Sequence, residues 1–110
     1  MERDKAISKI NEYISVKEKQ AVEKNISIDN MSFINVRDRL IGLGNILEEN
    51  LHDNYYIVNV PSGVANKNEA IILVEWNGNS INFYGFAKEG LINQHTANRA
   101  IDKIVDKILK

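Results

Sequence analysis

Asn77-Gly78 lies between two runs of alternating apolar residues, and no other feature of the sequence restricts the fold as strongly. A two-residue hairpin turn needs positive φ at its centre, which Asn and Gly tolerate best, so residues 69–76 and 79–86 are expected to pair as antiparallel strands. With Asn77 and Gly78 at the tip, Trp76 faces Asn79, Val74 faces Ile81, Ile72 faces Phe83 and Ala70 faces Gly85. That register puts the apolar pairs on one face. The opposite face carries Ile71, Leu73, Glu75, Ser80, Asn82, Tyr84 and Phe86, and is polar near the turn but apolar at its far end.

A third strand is expected over 54–60, where Tyr56, Val58 and Val60 alternate with Tyr55, Ile57 and Asn59 before Pro61-Ser62-Gly63 stops the run. Residues 61–68 read as a polar loop. Upstream, Ile7, Ile10, Ile14 and Ala21 form a helical stripe that predicts a helix over 4–23, with a connector over 25–30. Phe33, Val36, Leu40, Leu43, Leu47 and Leu51 predict a second over 32–51, capped by Asn30 or Ser32 and weakened at Gly42-Leu43-Gly44. After a link over 87–91, Ala97, Ile101, Ile104 and Ile108 mark a last helix, widened by Ala100, Val105 and Leu109 and capped by Asn93 or Thr96. The expected fold is a single α+β domain spanning 1–110, a three-stranded antiparallel meander packed with three helices in the order ααβββα.

Composition removes several function classes. The chain has no cysteine, which excludes disulfides, thiolate zinc sites and thiol nucleophiles and fits a cytoplasmic address. Its net charge of -1 provides no field to gather phosphates, so nucleic acid is an unlikely partner. Nothing approaches the roughly 20 apolar residues of a membrane span, and the N-terminal residues lack the apolar core of a signal peptide. An abundance of Asn, Ile and Lys is of the kind that AT-rich bacterial or phage genomes produce.

No stretch matches a catalytic or ligand-binding signature. His52-Asp53 reads as a polar turn, because adjacency alone does not orient a carboxylate onto an imidazole. His95 and Arg99, near the start of the last helix, are the candidate anion site, since helix N-termini attract anions. Ligand spacing for a metal is missing, and no cofactor is expected. Gly42-Leu43-Gly44 lacks the strand and third glycine of a dinucleotide fingerprint and is better explained by helix packing or a kink. Ser62-Gly63 and Ser80-Ile81 lack the flanking residues of a nucleophile elbow, and Glu48-Glu49 and Glu75 read as charged surface.

The aromatic residues carry the functional expectation. Tyr55, Ile71, Leu73, Tyr84 and Phe86 share a sheet face that either lies under a helix or forms an interface patch, and Trp76 at the hairpin end is a core edge or a binding anchor. If the helices gather on the other face, a protein partner or a second copy is expected to cover this one. The reading is therefore of a small non-enzymatic macromolecule-binding protein of bacterial or phage type, such as an inhibitor, immunity factor or regulatory subunit. The alternative is a small enzyme or ligand-binding domain using the anion site.

Overall fold

The computed structural model describes residues 1–63, 65, 68–90 and 93–110. Parts of the expected 61–68 loop (Val64, Asn66, Lys67) and of the expected 87–91 link (Leu91) lie outside the described residues. In chain order the elements are α1 (Arg3–Ile10), a 3-10 turn (Glu18–Gln20), β1 (Val22–Ser27), α2 (Phe33–Leu40), β2 (Asn45–Asn50), β3 (Tyr55–Ser62), β4 (Asn68–Trp76), β5 (Ser80–Ala87) and α3 (Thr96–Leu109). The five strands form one antiparallel sheet in the order β1-β5-β4-β3-β2.

The expected three-stranded sheet in the order ααβββα is thus corrected to five strands in the order αβαββββα. Both added strands come from the ends of stripes that read as helix. The first helix stops at Ile10 because the Asn11 side chain accepts the Val16 amide (2.9 Å), a local bond that competes with helix propagation. Farther on, Val22, Lys24 and Ile26 alternate with Glu23, Asn25 and Ser27, and this period-two run pairs with β5 as an edge strand. The second helix begins as expected, with Ser32 and Asn35 forming a reciprocal capping box, and ends at Leu40 before Gly42-Leu43-Gly44. Gly42 has φ +94, and at Gly44 a Cβ would sit 2.0 Å from the Asn59 carbonyl oxygen. The chain therefore leaves the helix at Gly42 and runs tight against β3 at Gly44. Beyond it the sequence NILEEN becomes β2, a case of sheet pairing overriding helix propensity.

The hairpin forms with a register two residues from the expected one. Asn77 donates its N–H to Ser80 O (2.9 Å), so Gly78 and Asn79 occupy the tip, with positive φ at Gly78. Trp76 then faces Ile81, Val74 faces Phe83 and Ile72 faces Gly85. An apolar partner for Trp76 replaces the polar Asn79. Because the side-chain period is two, this shift leaves every residue on its expected face. The β3 strand also runs past Pro61. Trp76 N–H donates to Asn54 O (2.9 Å), which turns even-numbered β3 residues toward β4 and odd-numbered ones toward β2. Pro61 lies beyond the last β2 pair, Asn45↔Asn59, so its missing N–H costs no ladder bond.

Helices cover both faces. On one, α2 and α3 bury Phe33, Leu40, Ile101 and Ile104 against Tyr56, Val58, Ile72, Val74 and Phe83. The absence of a Cβ at Gly85, within 2.5 Å of where Ile72 Cδ1 lies, allows α3 to sit close. On the other, α1 places Ala6 and Ile10 over Tyr55, Ile57, Ile71, Leu73, Tyr84 and Phe86, forming a second, separate core. No helix among the described residues is long and apolar enough to cross a membrane.

Candidate functional site

Most of the exposed large hydrophobic side chains belong to β2 or to segments next to it in the chain or bonded to it. Leu47 lies at the single-residue bulge where the β2–β3 register shifts, and Leu51 follows in the turn. Ile41 is in the loop leading into β2, and Tyr13 is tied to the strand by donating to Glu48 Oε1 (2.7 Å). Ile34 belongs to α2, which is joined to the strand by the Arg37–Glu49 ion pair (3.2 Å). Among the described residues only Leu109 is exposed to this degree away from the β2 edge. Since Glu48 pairs with Ile57 and Glu49 with Tyr56, Tyr13 flanks β2 on the α1 face and α2 flanks it on the other.

Glu48 organises the α1 side of this edge. Its carboxylate accepts from the Tyr55 and Tyr13 hydroxyls, while Asn50 Nδ2 donates to the Tyr55 oxygen (3.3 Å) and Lys9 lies 5.0 Å above the Tyr55 ring. The Tyr55 and Tyr13 hydrogen bonds hold the Glu48 carboxyl below the usual glutamate value. The Glu48 carboxylate in turn pushes the Tyr13 hydroxyl up to about 12. Lys9 is raised, first by its contact with Tyr55. The cluster fastens α1 to the edge strand. No periodicity marks it, because Lys9 and Tyr13, and Glu48 and Asn50, come from two stretches that the sequence reads as continuous helices, and Tyr55 from a strand.

The residues expected to bind a partner lie mostly inside the molecule. Leu73 is fully buried, Tyr55 and Phe86 are 1% exposed, and Ile71 and Tyr84 are 6% and 7% exposed, all beneath α1. They do form one set, as the sheet faces require, but α1 covers it. Trp76 is half-buried, with Nε1 donating to Met31 O (2.8 Å) and its ring edge-on to Phe33 at 6.4 Å. The polar end of the same face holds Glu75, which is buried and paired with the Met1 ammonium at 2.9 Å; Asn82 also donates to it, and Tyr84 OH donates to Met1 O (2.7 Å). Glu75 is therefore not the surface charge its sequence position suggests.

His95 and Arg99 do not converge on a free helix terminus. The first amide of α3 is taken by Glu89, whose carboxylate accepts from Thr96 N (2.8 Å) and also from Gln94 N (3.3 Å) and Asn68 Nδ2 (3.4 Å). His95 is the residue preceding the helix, with φ 54, and Arg99 Nε donates to Gln94 O (2.9 Å). A cleft of 450 Å³ lies alongside, lined by Lys19, Gln20, Glu89, Asn93, His95 and Asn98 among others. Burial alone would raise the Glu89 carboxyl, but hydrogen bonds from Thr96 and Gln94, with His95 nearby, outweigh it and hold the group below its ordinary 4.5. The charged cap thus contributes in full above pH 4.5, and its contribution is lost as pH falls through the lower folded value. Glu89→Gln is expected to cost about 1 kcal/mol at neutral pH, with the gap to wild type closing below pH 4.5 in urea unfolding at stepped pH. A gap that is constant with pH would mean that the charge does no capping.

His52 and Asp53 lie on the β2–β3 turn, 3.1 Å apart and exposed, with the His52 hydrogen bond lowering the Asp53 carboxyl. Among the described residues no three His, Cys, Asp or Glu side chains converge as a metal site. Comparison of the chain with family models, curated proteins and solved structures finds no match.

Proposed function

We propose that this chain is a small macromolecule-binding protein, of the inhibitor, immunity-factor or regulatory-subunit kind, that docks its partner along the β2 edge. The observation that carries the reading is that exposed apolar side chains, Ile41, Leu47, Leu51 and Tyr13, are distributed along a single edge strand, on it, at its two ends or bonded to it. Exposed apolar side chains scattered singly need no explanation, whereas a cluster rimmed by polar groups marks an interaction surface. Polar groups stand beside these side chains: Glu48 accepts from Tyr13, and Glu49 pairs with Arg37. The bulge at Leu47 and the two adjacent glutamates work against simple strand addition, so the contact is made by side chains. A small-ligand role for the cleft beside α3 has less support, because the Glu89 carboxylate already sits on the first α3 amide, where its charge repels an anion.

Leu47→Lys with Leu51→Lys tests the reading. Both side chains are exposed, so the unfolding midpoint should stay within about 0.5 kcal/mol of wild type. Capture from a lysate of the native host, compared between wild type and this variant, should lose the proteins that wild type retains. Equal retention by both would remove the β2 edge as the docking surface.

A further inference from the structure

The sheet separates two cores that share no residue, and α1 belongs to only one of them. Everything on the α2/α3 face closes without α1. The α1 face, in contrast, has no other helix against it among the described residues, and its aromatic and aliphatic set is covered by Ala6 and Ile10 with Met1, Ile14 and Val16 at the margins. The connection from α1 to β1 is residues 11–21, mostly exposed and without regular structure beyond one 3-10 turn. Its hydrogen bonds are largely within itself or to α1: Val16 N to Asn11 Oδ1, and Arg3 to the Glu18 and Ala21 carbonyls. Ile14 and Val16 belong to the cover, so the free tether is residues 17–21, which extends to roughly 17 Å and forms a short hinge between the cover and β1.

We propose that α1 is an exchangeable cover, and that the partner accepted by this sheet face is the α1 of a second copy of the same chain. The fit of occupant to face is already present in the closed chain, because an exchanged α1 would meet the same residues: Ile10 on the apolar set and Tyr13 on Glu48. Exchange of an identical element conserves its contacts, so the balance between closed monomer and exchanged dimer is set by the connector and by protein concentration. A segment on a short flexible tether competes at an effective concentration in the millimolar range, so the exchanged form is favoured when the chain refolds near that concentration. This inference is independent of the β2-edge reading and goes beyond it.

The absence of cysteine makes the test clean. Tyr13→Cys and Glu48→Cys are placed in separate full-length chains, and a third chain carrying both serves as control for a flexible bismaleimide. The control, refolded dilute, should cross-link within one chain. The two single variants, mixed, denatured and refolded near millimolar concentration, should sediment as a dimer and cross-link one chain to the other; refolded dilute, they should remain monomers with no cross-link. A monomer at every concentration, or a dimer in which Tyr13→Cys never reaches the Glu48→Cys of the other chain, would overturn the proposal. A dilute control that fails to cross-link would overturn it too, since α1 would then not lie on the sheet.

Discussion

Leu73→Asp is expected to leave the chain unfolded under native conditions. Leu73 is fully buried on β4, in the middle of the sheet, among Tyr55, Ile57, Tyr84 and Phe86. A carboxylate there would find no cation within the set, and the Tyr55 and Tyr84 hydroxyls already donate to Glu48 and Met1 O; an uncompensated buried charge costs several kcal/mol, about 5 or more once the lost packing is added. That rivals the total stability of a domain, typically about 5–15 kcal/mol. Circular dichroism and sedimentation should show an expanded chain, whereas a folded variant with an unchanged urea midpoint would mean that the α1 face is open surface.

Gly44→Ala should produce the second largest loss, about 3 kcal/mol. The added methyl would lie 2.0 Å from Asn59 O, 2.9 Å from Asn59 C and 3.1 Å from Val60 Cα, all backbone atoms of β3. No rotamer change relieves such a clash, so β2 must shift from β3, at the upper end of what overpacking usually costs. Gly42→Ala provides the comparison, because nothing lies within 4 Å of its Cβ position and only its φ of +94 is strained, a cost of about 1 kcal/mol. Urea midpoints ranked Gly44→Ala below Gly42→Ala below wild type are expected. Equal midpoints for the two variants would contradict the close approach at Gly44.

These two sites also show which parts of the fold were legible in the sequence. The β4–β5 hairpin and the division of its faces were readable because the side-chain period of two survives a two-residue change in register. The last helix was readable because Ala97, Ile101, Ile104 and Ile108 recur on one face of an unbroken element. The edge strands were not. Val22, Lys24 and Ile26 alternate, but the lysine obscures the pattern, and its ammonium pairs with Asp102 of α3 at 3.5 Å across the sequence. Across β2 and its flanks, Leu43, Leu47 and Leu51 repeat every fourth residue and imitate a helix, although Gly42 and Gly44 end it. What Gly44 approaches is visible only once β3 lies beside it.

The candidate surface was less legible still. The sequence puts Tyr55, Ile71, Leu73, Tyr84 and Phe86 on one sheet face and leaves open whether a helix covers it; α1 does. The β2-edge cluster was hidden because Leu47 and Leu51 read as the buried stripe of a helix. For the anion site at α3, the missing partner was Glu89, seven residues before Thr96, and such a cap has no sequence spacing to reveal it when the intervening chain is irregular.

The central claim is that α1 packs on the sheet face opposite α2 and α3. Isotope-edited NOE spectra test it most directly. The account predicts NOEs from the methyl groups of Ala6 and Ile10 to side chains of the set Tyr55, Ile57, Ile71, Leu73, Tyr84 and Phe86, together with helical shifts over residues 3–10. Random-coil shifts over 3–10 and no such NOEs, in a chain whose β4–β5 hairpin NOEs are intact, would contradict it.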